Sequence, residues 1–108
     1  MEGLVRGDVV VLSFPYSDLT GKKKRPALVV ANVNKDFILS EITSQYNLDH
    51  FSIILLDSDF KDGSLSLPSV IKPYRIFTAE ASIIQYKVGS INLSKFKEVQ
   101  DQLFTIFS

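Results

Sequence analysis

The stretch FPYSDLTGKKKRPALVV, Phe14 to Val30, decides the fold. It closes one apolar run, passes through a polar turn (Ser17, Asp18, Thr20, Gly21), and carries four consecutive cations, Lys22 to Arg25. It then re-enters an apolar run through Pro26. Two apolar runs rich in β-branched residues on either side of such a turn predict an antiparallel hairpin. Two readings of the cations follow. Rigid strands can aim a basic loop at an anion, or the loop simply faces water, as most charge runs do.

Outward from this hairpin the chain reads as a series of short strands. The first is Val9–Phe14 and the second Arg25–Val33, both apolar on two faces, as a closed sheet requires. The third, Phe37–Gln45, alternates. Ile38, Ser40, Ile42 and Ser44 share one face, while Glu41, Thr43 and Gln45 stand side by side on the other. Tyr46–Asp49 is expected to turn, with His50–Leu56 returning as the hairpin partner. Asp57–Ser66 reads as a polar loop. Pro68–Pro73 reads as a short strand limited by a proline at each end, with Arg75–Thr78 and Ile83–Val88 as further strands. One helix is expected. Asn92 is a good N-cap, and Leu93, Phe96, Val99, Leu103, Ile106 and Phe107 recur at helical spacing as a stripe for core packing. These elements predict a mainly β (α+β) fold, a small antiparallel β-barrel with a C-terminal helix, as a single domain over residues 1–108.

Composition narrows the chemistry. Apolar residues make up 45% of the 108, which is globular, and the formal net charge is +0, so any polyanion site must be a local patch. Without cysteine, disulfides and thiolate metal sites are excluded. The single histidine, His50, cannot build a two-imidazole acid–base pair. No clustered carboxylate motif calls for a metal, so neither metal nor cofactor is expected. Residues 1–8 lack the apolar core of a signal peptide, and Val9–Leu12 and Ile53–Leu56 are too short to span a bilayer. The expectation is a soluble, cytoplasmic protein with no membrane partner.

Arg6-Gly7-Asp8-Val9-Val10, Phe14-Pro15-Tyr16-Ser17-Asp18-Leu19 and Lys24-Arg25-Pro26-Ala27-Leu28-Val29-Val30 resemble the N-terminal signature of the PemK/MazF toxins, the toxin halves of type II toxin–antitoxin pairs. Ile42-Thr43-Ser44, Leu67-Pro68-Ser69-Val70 and Ile76-Phe77-Thr78 extend the resemblance more thinly. The resemblance implies an SH3-like, MazF-type barrel, a homodimer, and a metal-independent, sequence-selective endoribonuclease acting on single-stranded RNA. It also implies a cognate antitoxin whose disordered segment blocks the RNA groove. By motif, Arg25 and Thr43 carry over as catalytic.

The chemistry of these residue types agrees. In metal-free RNA cleavage the 2′-hydroxyl attacks the adjacent phosphorus, leaving a 2′,3′-cyclic phosphate and a 5′-hydroxyl. The protein must stabilise charge growing on the non-bridging oxygens. A guanidinium forks onto two of them and keeps its charge, which suits Arg25. Thr43 offers a strand-borne hydroxyl, though not a base. Glu41 and His50 are the candidate acid–base groups, and Tyr16, Lys22, Lys23, Lys24, Gln45 and Lys72 the candidate RNA contacts. Phe14, Tyr16, Tyr46 and Tyr74 could offer stacking surfaces. One departure stands out. Where many relatives carry an Arg-x-Asp-like pair, this chain has Lys72 and Tyr74, and lysine lacks the bidentate fork. Two alternatives stay open: a non-catalytic toxin of the same fold that inhibits DNA gyrase, as CcdB-type proteins do, and a barrel that only binds an antitoxin.

Overall fold

The computed structural model describes residues 3–13 and 24–108. The strands are β1 (Asp8–Ser13), β2 (Lys24–Val33), β3 (Asp36–Thr43), β4 (Ile53–Leu55), β5 (Phe60–Gly63), β6 (Ser69–Glu80) and β7 (Ile84–Ile91), followed by helix α1 (Leu93–Phe107). They form one sheet in the order β4-β6-β3-β2-β1-β7-β5, with antiparallel pairing throughout. The expected Ser17–Gly21 turn, Phe14, Tyr16, Lys22 and Lys23 lie outside the described residues. Among those described, no helix is long and apolar enough to cross a membrane.

Alternation buries the middle of the sheet on both faces. Val10, Leu12, Ala27, Val29, Phe37 and Leu39 pack with Leu4, Ala79 and Ile84 on one side. Val9, Leu28, Ile42, Ile71 and Ile91 pack on the other with Ile53, Leu55, Phe96 and Val99. This second cluster takes residues from the edge strand β4, and Phe60 of the opposite edge strand β5 packs against it. The sheet therefore curls, and α1 fills the gap between its edges. Lys95 links the two sides, donating to the Ile54 carbonyl at 3.2 Å and pairing with Asp59 at 3.7 Å. Asn92 caps the helix as expected, its Oδ1 accepting from the Lys95 amide at 2.8 Å.

Three expectations are corrected. The His50–Leu56 segment does not pair with β3. Its strand is only Ile53–Leu55 and lies on β6, because β6 occupies that edge of β3 from Asp36↔Glu80 to Thr43↔Val70. The Asp57–Ser66 loop contains β5, which pairs with β7 so closely that a Cβ on Gly89 would lie 2.3 Å from the Asp62 carbonyl oxygen. Only glycine fits there. The prolines do not bound a short strand either, since β6 runs through Pro73 for 12 residues. Between Ser40↔Ile76 and Glu41↔Lys72 the register jumps, and Pro73, Tyr74 and Arg75 bulge out of the ladder. Proline cannot donate to a ladder, and a bulge is where a sheet tolerates it.

The helical stripe is only partly core. Phe96 and Val99 are buried and Leu103 packs beside them, whereas Leu93 is 83% exposed and Phe107 74%. The curled sheet is too narrow to cover both ends of a helix this long. Phe96→Ala should therefore lower unfolding stability by about 3–5 kcal/mol, and Leu93→Ser should change it by no more than about 0.5 kcal/mol. Urea denaturation of the two variants checks this, and equal losses would contradict the helix orientation.

Candidate active site

The register of β2 on β3 sets Ala27 opposite Glu41 and Leu28 opposite Ser40. Carried two residues further, it sets Arg25 opposite Thr43. Arg25 shares the parity of Ala27 and Val29, and Glu41 and Thr43 share that of Phe37 and Leu39. Arg25, Glu41 and Thr43 thus sit on one face, where the apolar packing gives out at the strand ends. Lys24, Arg25, Pro26, Thr43, Ser44 and Gln45 line a cleft of about 140 Å³ there. That is too small for a drug-sized ligand and of the scale of one phosphodiester.

Within this site Glu41 is held between two guanidiniums. Its Oε1 lies 3.4 Å from Arg25 Nη1 and its Oε2 lies 3.6 Å from Arg75 Nη1. Both separations are long for charge-assisted hydrogen bonds, which close to about 2.7–2.9 Å. Arg25 Nε is buried and has no hydrogen-bond partner among the described residues. A buried donor left unmade is rare. Thr43 Oγ1 accepts from the Gln45 amide at 3.1 Å, which fixes the oxygen and leaves the hydroxyl proton to donate. With Lys24 beside them, the cations outnumber the carboxylate.

The sequence-derived candidates divide. Arg25, Thr43, Lys24 and Gln45 line this cleft, and Glu41 adjoins it through its ion pair with Arg25. His50 does not line it. It sits in the loop after β3, its ring edge-on to Phe51 at 5.0 Å. Lys72 is a correction. Expected as an RNA contact, it is 3% exposed, and its ammonium donates to the Asn47 carbonyl, to Ser52 Oγ at 2.9 Å and to Asp49 Oδ2 at 3.2 Å. All its donors are committed within the protein, so none is left for a phosphate.

Two groups in contact with candidate residues escaped the sequence reading. Arg75 reaches Glu41 only because the bulge lifts it off the ladder, and a proline inside a β-rich run was the available sign. Asp49 was read only as a turn residue. Its Oδ1 accepts from the Phe51 amide at 2.9 Å and from Ser52 Oγ at 2.9 Å, an Asx-type turn, and its Oδ2 accepts from the Tyr74 hydroxyl at 2.5 Å. The Tyr74 hydroxyl is the main influence holding this carboxyl far below the usual carboxylate range, helped by Ser52, Lys72 and the Phe51 amide against some desolvation. In return, the Asp49 carboxylate pushes the Tyr74 phenol up. The larger cleft between β4 and α1, about 470 Å³, is lined by Lys95, Glu98 and Asp101. Its lysine is already paired with Asp59 and Glu98, so it offers no comparable free donor.

This fold has known counterparts. A mycobacterial endoribonuclease solved with its cognate antitoxin superposes with a TM-score of 0.78 at 16% identity, covering 97% of this chain and 95% of that one. MazF in a MazE–MazF structure from Deinococcus radiodurans gives 0.76 at 19% identity, covering 96% and 95%. The Mycobacterium tuberculosis toxin MazF-mt6 gives 0.72 at 15%, covering 93% and 95%. At such identities the likeness is one of fold. No curated protein matches by sequence. A family model does match, over residues 5–107, and the chain belongs to the PemK-like, MazF-like toxins of type II toxin–antitoxin systems.

Proposed function

We propose that the protein is an endoribonuclease that cleaves single-stranded RNA without a metal, leaving 2′,3′-cyclic phosphate and 5′-hydroxyl ends. The observation that carries this reading is Arg25 Nε, buried and without a partner among the described residues, beside Thr43 in a cleft of phosphodiester size. The scissile phosphate enters there, and Arg25 presents Nε and a terminal nitrogen to two non-bridging oxygens as the fork geometry allows. Arg75 leaves Glu41 for the same phosphate. Thr43 donates its hydroxyl to a phosphate oxygen. Glu41, released from the guanidiniums, accepts the 2′-hydroxyl proton as the 2′-oxygen bonds to phosphorus. The 5′-oxygen then leaves and takes a proton from water. Stabilising the developing charge is the largest contribution in such sites.

Membership of a type II toxin family supports a cognate antitoxin as partner, as does the mycobacterial relative solved with its own. A homodimer acting in the cytoplasm completes the proposal. The reading is tested by incubating the protein with a long single-stranded RNA in chelator and mapping the ends. Discrete cuts ending in cyclic phosphate are expected. Arg25→Ala should lower the rate roughly 100- to 1000-fold, and Glu41→Gln roughly 100-fold or more. Thr43→Ala should lose about tenfold, one neutral hydrogen bond. Intact RNA together with inhibited gyrase would favour the non-catalytic alternative, and activity restored only by added divalent cation would overturn the metal-free step.

A further inference from the structure

Beside the Arg25–Glu41–Arg75 group lies a set of rings that this chemistry does not use. Tyr74 precedes Arg75 in the bulge, and the Arg75 Cζ lies 5.8 Å from the centre of its ring, within cation–π range. The Phe51 ring meets Tyr74 edge-on at 6.5 Å, and His50 meets Phe51 in the same way at 5.0 Å. Tyr74 and His50 are exposed. In water, an exposed tyrosine ring on a bulge would ordinarily be free to rotate. This one is fixed, because its hydroxyl is bonded to Asp49 and Asp49 is in turn held by the buried Lys72 and by Ser52. The anchoring of Lys72 thus places an aromatic surface rather than a phosphate contact.

We propose that Tyr74, with Phe51 and His50 alongside, is a stacking subsite for the nucleobase next to the scissile phosphate. The inference rests on the endoribonuclease reading. Arg75 joins the two sites, since a phosphate that draws its guanidinium away from Glu41 and from Tyr74 uncovers the ring face for the base one sugar away. Single-stranded RNA splays its bases onto aromatic surfaces in this manner. The Tyr74 hydroxyl, committed to Asp49, is not available to read a base edge. Selection at this position therefore follows stacking area, and a purine is favoured over a pyrimidine.

The pinning is checked first. A carboxyl depressed in the folded state contributes stability above about pH 4, its unfolded value, and loses it only in stronger acid. A phenol raised in the folded state contributes below about pH 10 and loses it as the pH climbs through the raised value. The Asp49–Tyr74 contact should thus persist across the neutral range. Asp49→Asn should bring one tyrosine back toward pH 10 in an ultraviolet titration, a change absent on a Tyr74→Phe background. No change would overturn the pin and the subsite built on it.

The subsite itself is tested with RNA oligonucleotides that carry an abasic ribonucleotide at each position flanking the wild-type cut. Removing the base at one flanking position should raise KM about tenfold for the wild type. For Tyr74→Leu the intact oligonucleotide should already show that rise, and removing the base should add less than about twofold. Tyr74→Phe, which keeps the ring while losing its tether to Asp49, should recover part of the dependence on the base. Tyr74→Leu behaving as wild type on every oligonucleotide, or Tyr74→Phe as impaired as Tyr74→Leu, would overturn the subsite while leaving the nuclease intact. A wild type that cuts no RNA would overturn both.

Discussion

The missing N–H of Pro73 shapes the functional end of this molecule. Between Ser40↔Ile76 and Glu41↔Lys72 the long strand β6 carries three residues that β3 does not match. Ser40, fully buried, donates its hydroxyl to the Pro73 carbonyl at 3.0 Å and so satisfies an acceptor the broken ladder would leave open. With the bulge stabilised in this way, Tyr74 and Arg75 project from the sheet. Arg75 arrives at Glu41 and Tyr74 at Asp49. In regular pairing these side chains would alternate between the sheet faces, and neither contact would be specified.

The proposed reaction gives Glu41 a double role, as partner of two guanidiniums and as proton acceptor. Glu41 is only 13% exposed, but its two arginines are 29% and 48% exposed and stand too far from it for strong charge-assisted bonds. That weakness suits a site that must exchange partners. A phosphate offers each guanidinium shorter, bidentate bonds than a carboxylate already shared at 3.4 and 3.6 Å. In the proposed reaction, the exchange that binds substrate also frees the carboxylate to accept a proton.

The sheet was legible wherever period-two alternation or an apolar run extended over several residues. β1, β2, β3 and β7 fall close to their expected spans, and the Asn92 cap marks the start of the helix. Arg25 and Thr43 were paired by the resemblance alone, and the β2–β3 register gives the physical reason they meet. The failures cluster where local signals have two outcomes. A proline within a β-rich run marks either a strand end or a bulge, and only the pairing of β3 with β6 decides between them. A lysine in the same run reads as solvent-facing, yet Lys72 is buried because three acceptors 20 to 25 residues distant in sequence close over it. Long-range closure of that kind has no periodic signature.

Lys72 and Tyr74 stand where the resemblance leads one to expect an arginine and a carboxylate. The structure shows that the carboxylate is not missing from the neighbourhood, since Asp49 brings one in from the loop after β3 and meets both residues. An arginine at position 72 would need room for a planar fork, whereas the compact ammonium fits among Asn47, Asp49 and Ser52 with one donor for each. Tyrosine at 74 then adds a ring where a carboxylate would offer only charge. Removing Asp49 would leave a buried ammonium short of its counter-ion, an arrangement proteins tolerate poorly. The lysine, the tyrosine and the loop aspartate therefore form one unit. The same unit that fills the place of the expected pair also holds an aromatic face beside Arg75.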